Sequence, residues 1–197
     1  MLIDAHIHLE QYNLTEAMLE DWRAAGVAGV VAVSTDLASS YRTLELQQKH
    51  PNFVYAAIGF HPEFPLPSDR DFLEWCRLLK AEADKISAIG EVGLPHYSLP
   101  TLSEPFEAYQ EFLSRCLSIA KANKLPVALH AVHDKAVLAL KLLKKHHIRN
   151  SHFHWLKAPE NVVEHIIANG SYVSVTPEVC YRQRDQELIK AVLHPSS

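Results

Sequence analysis

The chain is 197 residues long, 48% hydrophobic and 21% charged, which suits one folded domain and excludes a disordered chain. Nineteen Lys and Arg against 23 Asp and Glu give a formal charge of −4, which excludes a broad basic surface as the main handle on nucleic acid. No apolar run approaches the ~20 residues of a membrane span. The N-terminus lacks the basic-then-apolar pattern of a signal peptide, and Cys76, Cys116 and Cys180 are too few and scattered for a disulfide framework, so a cytoplasmic protein is expected.

Short β-rich runs alternate with longer helical patterns along the chain. The first strand is expected over residues 2–9, followed by a helix over 15–25 that stops at Gly26. A valine-rich strand over 27–34 precedes a helix over 37–49, closed by Pro51. A strand over 53–60 leads to a helix over 69–83, with Trp75, Leu78 and Leu79 on one face. The fourth strand spans 86–92 and the longest helix 104–122. Strand 125–129 and helix 133–146 follow, then a short polar strand over 151–154 and a helix over 159–168 with Gly170 beyond it. A seventh strand over 172–175 and a helix over 185–192 complete seven βα units.

Continuously apolar strands separated by helices specify a parallel sheet covered by helices, hence an α/β fold. The first strand ends in Asp4-Ala5-His6-Ile7-His8 and lacks the glycine-rich phosphate loop of dinucleotide folds. The better reading is a TIM-like (β/α) barrel formed by a single domain over residues 1–197. Such a barrel has eight strands and about 250 residues, so this one is expected to be incomplete or distorted, with seven of the eight units.

Ligand-type side chains fall at the strand ends. His6 and His8 are two apart, so in a strand both point to one face. Glu91 closes the fourth strand, His130 the fifth and His154 the sixth. In a barrel these ends converge on one mouth, where four imidazoles and a bridging carboxylate suit two Zn²⁺-like ions. Gly90 and Gly93 flank Glu91, which fits a close backbone approach. His152 reads as a residue behind His154, and His61 as either a loop residue or a phosphate contact. His96 and His133 stand in loops at the same end; Trp155 either stacks on a base or packs inside. Cys180 has no partner pattern for a thiol nucleophile.

The segments Ile3-Asp4-Ala5-His6-Ile7-His8-Leu9, Gly59-Phe60-His61-Pro62, Ala88-Ile89-Gly90-Glu91-Val92-Gly93-Leu94 and Leu125-Pro126-Val127-Ala128-Leu129-His130, followed by His154-Trp155, resemble the TatD-type metal-dependent hydrolases of the amidohydrolase superfamily. The resemblance runs through the whole chain in order. It implies two divalent ions (Zn, Mn or Mg) and hydrolysis of DNA phosphodiesters, as a 3′–5′ exonuclease or DNase, or of a small phosphoester. Carried over residue by residue, it implies that His6 and His8 hold one ion, His130 and His154 the other, and Glu91 bridges both. Glu91 and His61 are then the catalytic candidates, and Arg182, Arg184 and His61 the local phosphate contacts.

The family has a further aspartate ligand at the end of an eighth strand, in a Glu-Thr/Ser-Asp motif. Asp185 sits too early to match it, and Pro95 stands where the family often has aspartate. The expectation is therefore metal binding with impaired catalysis, and a gap between the first and seventh strands that closes on itself, faces water or makes a homo-oligomer. Two other readings use the same residues. One is an amidohydrolase-like enzyme acting on an amide, lactone or phosphoester, although amide-hydrolysing relatives commonly carry a carboxylated lysine where this chain has Glu91. The other is a catalytically degenerate metal-binding or interaction protein.

Overall fold

The structure, a computed structural model, describes residues 2–193. It is an α/β fold of seven strands and seven main helices. The strands lie in one sheet in the order of the sequence, with the first and seventh at the two ends of that order. This is the strand order of a (β/α) barrel left open, as the seven-unit pattern predicts. No helix among the described residues is long and apolar enough to cross a membrane.

Two compact units share the fourth strand. The first contains β1 (Leu2–Ile7), α1 (Glu16–Ala24), β2 (Val27–Val33), α2 (Leu37–Lys49), β3 (Val54–Ile58), α3 (Asp69–Ala81) and β4 (Ile86–Gly93) as far as Glu91. β1–β2, β2–β3 and β3–β4 pair in parallel. The helices start where the sequence supplies a cap. Thr15 accepts from the Met18 amide, Ser68 from the Asp71 amide, and Asp36 forms a reciprocal capping box with Ser39. Leu9, Leu19, Val30, Ala32, Phe53 and Val54 form a buried cluster against which Trp22 and Leu46 pack. Each fully buried leucine there contributes about 1.5–3 kcal/mol of apolar transfer.

Ser34, just past β2 and fully buried, ties this unit together. Its amide donates to Ala57 at 3.0 Å and its hydroxyl accepts from the Gly59 amide at 2.8 Å. The hydroxyl also lies 2.9 Å from that of Ser40, and the Ser34 carbonyl accepts from the Glu91 amide at 3.1 Å.

The second unit contains Pro62–Pro65, the end of β4, and then α4 (Phe106–Asn123), β5 (Val127–His130), α5 (Lys135–Lys145), β6 (Ser151–His154), α6 (Glu160–Ala168), β7 (Tyr172–Val173) and α7 (Gln183–Leu193). β5–β6 and β6–β7 pair in parallel. The apolar face of α4 buries Tyr109, Phe112, Leu113, Cys116, Leu117 and Ala120. α4 ends on Lys124 in the left-handed region at φ 56°.

Several boundaries differ from the sequence pattern. β1 ends at Ile7 because the chain turns into a short 3₁₀ segment over Leu9–Gln11, so His8 stands just beyond the strand. The helix expected over 133–146 starts only at Lys135, because His133 adopts φ 53°. β7 is two residues long, shorter than its apolar run.

Candidate functional site

β1 delivers His6 and the residue beyond it delivers His8. The Asp4 carboxylate accepts from the His6 amide at 3.0 Å. The two imidazoles meet edge to face, with centroids 5.2 Å apart. Glu91 enters from β4 and its side chain is only 1% exposed. Its Oε2 lies 2.9 Å from His6 Nε2, 3.6 Å from His8 Nε2 and 3.5 Å from His61 Nε2. His61 follows β3, its amide donating to the Thr35 carbonyl at 2.9 Å. The ligand atoms of His6, His8 and Glu91 all lie within 4.8 Å of one another.

This geometry suits a cation. Burying a carboxylate is costly unless a positive partner offsets it. Imidazole with carboxylate is the donor set of Zn²⁺-like ions, and a cation held between them would offset the buried charge. His8 Nδ1 is buried and has no hydrogen-bond partner among the described residues.

His130 closes β5, opposite His154 in the register with β6. The strand extends one residue beyond its apolar run and takes in His130. Gly93 makes this possible: a Cβ there would stand 1.9 Å from the His130 carbonyl oxygen, and the next amide, of Leu94, donates to that oxygen at 3.0 Å. His154 is half-buried beside His152, their rings 6.2 Å apart in T-shaped contact. His154 stands outside the groups of three or more close ligand atoms among the described residues.

Glu63 holds His130 from the side, its Oε1 lying 3.1 Å from His130 Nε2. The same carboxylate accepts from three consecutive amides, His96 at 2.8 Å, Tyr97 at 3.1 Å and Ser98 at 2.7 Å. Burial alone would raise the Glu63 pKa, but the bonds from His130, Ser98 and the His96 amide outweigh it. They hold the carboxyl well below the usual carboxylate range.

A second layer of loops surrounds His130. Tyr97 lies 6.4 Å from it, ring to ring, and His96 and His133 sit 4.6 Å apart. His96 Nδ1 faces Asp134 at 3.4 Å. Trp155 has φ 44°, and Lys157 Nζ rests 3.4 Å from the centroid of its ring. Nζ also donates to the Tyr97 hydroxyl at 3.4 Å, while the Lys157 carbonyl accepts from the His133 amide at 2.6 Å. Burial pushes the Lys157 pKa down, with Arg184 and Arg182 adding to the effect against Glu178. Burial also lowers His133, helped by His96, Lys157 and Arg184.

Arg182 and Arg184, expected as phosphate contacts, each face a carboxylate already, Glu178 at 2.9 Å and Asp185 at 3.2 Å. Asp185 is buried near the start of α7. Sequence reasoning passed over Glu63, Tyr97 and Lys157. Only Glu63 carried a signal, an acidic residue directly after His61-Pro62.

Comparison with known proteins matches residues 3–196 to the family model described as TatD-related DNase. An uncharacterized metal-dependent hydrolase of Haemophilus influenzae is 39% identical over 189 residues, covering 94% of this chain and 74% of that protein. The 3′-5′ ssDNA/RNA exonuclease TatD of Erwinia tasmaniensis is 29% identical, covering 84% of this chain but only 63% of the exonuclease. Among solved structures, a TatD homologue from Escherichia coli superposes with a TM-score of 0.77 at 28% identity, covering 87% of this chain and 66% of that one.

Proposed function

The chain belongs to the family of TatD-related DNases and is a metal-dependent hydrolase of that family, and from this premise we propose that it cleaves phosphodiester bonds of DNA or of a small phosphoester. The observation that carries the reading is the buried Glu91 carboxylate with the Nε2 atoms of His6, His8 and His61 between 2.9 and 3.6 Å from one oxygen.

In this proposal His6, His8 and Glu91 hold one divalent ion. By the family pattern, His130 and His154 would hold a second. Divalent ions held there would supply Lewis-acid polarisation of a phosphoryl oxygen and a lowered pKa for water, and Zn, Mn and Mg are the candidates. The chain's own part is positioning. Ser34 fixes Glu91 through its amide, Asp4 fixes His6 through its amide, and Glu63 fixes His130. His61 is proposed to orient a phosphoryl oxygen from the tip of β3. With a chain charge of −4, the ions rather than a basic groove provide the attraction for an anionic substrate.

Two smaller proposals accompany it. Three free cysteines support a reducing, cytoplasmic location. Exposed apolar residues on β1 support self-association through that strand.

Hydrolysis is tested by presenting single-stranded DNA, duplex DNA and a simple phosphodiester with Mg²⁺, Mn²⁺ or Zn²⁺. Cleavage is expected in the wild type and is expected to fall more than about 100-fold in Glu91→Gln, with loss of bound metal by elemental analysis. Equal cleavage by Glu91→Gln would remove the proposal.

A further inference from the structure

We infer that Lys157, Trp155 and Tyr97 form a nucleotide subsite beside His130, in which Lys157 takes a phosphate and Tyr97 the base of a single-stranded nucleic acid. The inference rests on the phosphodiesterase reading and goes further by assigning the residues that recognise the strand.

The first support is the lysine's charge. Among the described residues no carboxylate lies within ion-pair distance of Lys157 Nζ; its polar partner is the Tyr97 hydroxyl. The nearby carboxylates each pair with an arginine through one oxygen, Glu178 with Arg182 and Asp185 with Arg184. A half-buried ammonium without a counter-ion is a ready anion site. Its lowered pKa shows the same desolvation.

The second support is how the lysine is held. Its Nζ rests on the face of the Trp155 ring at 3.4 Å, an attraction that fixes the charge in place. Its carbonyl is pinned by the His133 amide at 2.6 Å. Trp155 sits at φ 44° and His133 at φ 53°, a region that bulky residues rarely enter and that clusters at ligand clamps. Trp155 Nε1 is buried and has no hydrogen-bond partner among the described residues.

The third support is Tyr97. It is 50% exposed, yet its amide is anchored by Glu63 at 3.1 Å and its ring stands 6.4 Å from His130. A fixed, exposed aromatic beside a cation is the pairing that stacks an unpaired base and grips its phosphate. A base inside a duplex keeps its own stack and cannot use this surface, which selects single strands.

The test is fluorescence anisotropy with the full chain in Mg²⁺ and a labelled single-stranded DNA octanucleotide with phosphorothioate linkages, so that the ions are kept and cleavage is suppressed. Lys157→Gln and Tyr97→Leu are each expected to weaken binding about 5- to 50-fold, while Tyr97→Phe binds within about twofold of wild type. Lys157→Gln is also expected to lower the slope of log affinity against log salt by about 0.7, one phosphate contact. Variants that bind as the wild type does, or a wild type that does not bind the octanucleotide, overturn the subsite.

If a variant fails to fold, photocrosslinking of a 5-iododeoxyuridine strand to the wild type decides. An adduct on Tyr97 or Trp155 supports the subsite, and adducts only elsewhere overturn it. Binding that weakens in the variants, with no metal giving hydrolysis in the wild type, leaves the subsite standing and removes the hydrolase proposal. Hydrolysis by the wild type with unchanged binding in the variants does the reverse.

Discussion

Glu63 is one carboxylate with several tasks. It gathers the amides of residues 96, 97 and 98 and meets His130 at 3.1 Å. Replacing it by alanine removes the acceptor from three backbone donors at once. The cost expected is about 1–3 kcal/mol of unfolding free energy in urea titration. A residue that orients a metal ligand typically changes metal affinity by about 10- to 100-fold when removed, so isothermal titration of Mn²⁺ into Glu63→Ala is expected to show a loss of that size. Unchanged stability would mean that water replaces the carboxylate on those amides. The sequence makes Glu91 prominent, because it closes an apolar strand. It leaves Glu63 obscure, because a loop glutamate has no periodicity and its partners lie 33 to 67 residues away.

Among the elements, β4 and the end of β5 approach closely at Gly93. A methyl group at Gly93 would stand 1.9 Å from the His130 carbonyl, backbone against backbone, where no side chain can yield. Gly93→Ala is expected to destabilise by about 3 kcal/mol or more and to displace His130, visible in thermal unfolding and metal content together. The end of α4 predicts the opposite sign. Lys124 is left-handed at φ 56°, a strain of about 1–2 kcal/mol for an L-residue, against about 0.4–1 kcal/mol of added unfolded-chain entropy for glycine. Lys124→Gly is therefore expected to raise the unfolding free energy by about 0.5 kcal/mol in denaturant titration.

The same elements show what the sequence makes legible. Valines over 27–33 and the capped helices read directly, since period, cap and stop signal agree. The start of α5 does not, because the left-handed turn at His133 is held by the Lys157 carbonyl, a tertiary contact. Likewise the period-two spacing of His6 and His8 reads off the page, whereas the meeting of Tyr97 with Lys157 depends on two loops 60 residues apart.

For the molecule as a whole, two features set its behaviour in solution. With a negative chain charge, the proposed binding of nucleic acid is expected to depend on bound metal and Lys157 more than on general basicity. The strand order ends at β1 and β7, and β1 exposes Leu2 and Ile3 by 63% and 52%. An apolar edge of this kind invites strand pairing. Sedimentation velocity is expected to show concentration-dependent association that Ile3→Lys reverses; a strict monomer at every concentration would count against it.

One serine has a wider reach. Ser34 takes its partners from β3, α2 and the tip of β4, so the place of Glu91 is written into the frame and not into any connecting loop. The molecule is in that sense modular: the proposed metal-binding carboxylate belongs to the chassis, while the proposed recognition residues Tyr97, Trp155 and Lys157 belong to surface loops. Grafting foreign loops after β4 and β6 is then a route to new substrate preference that leaves the carboxylate where it stands.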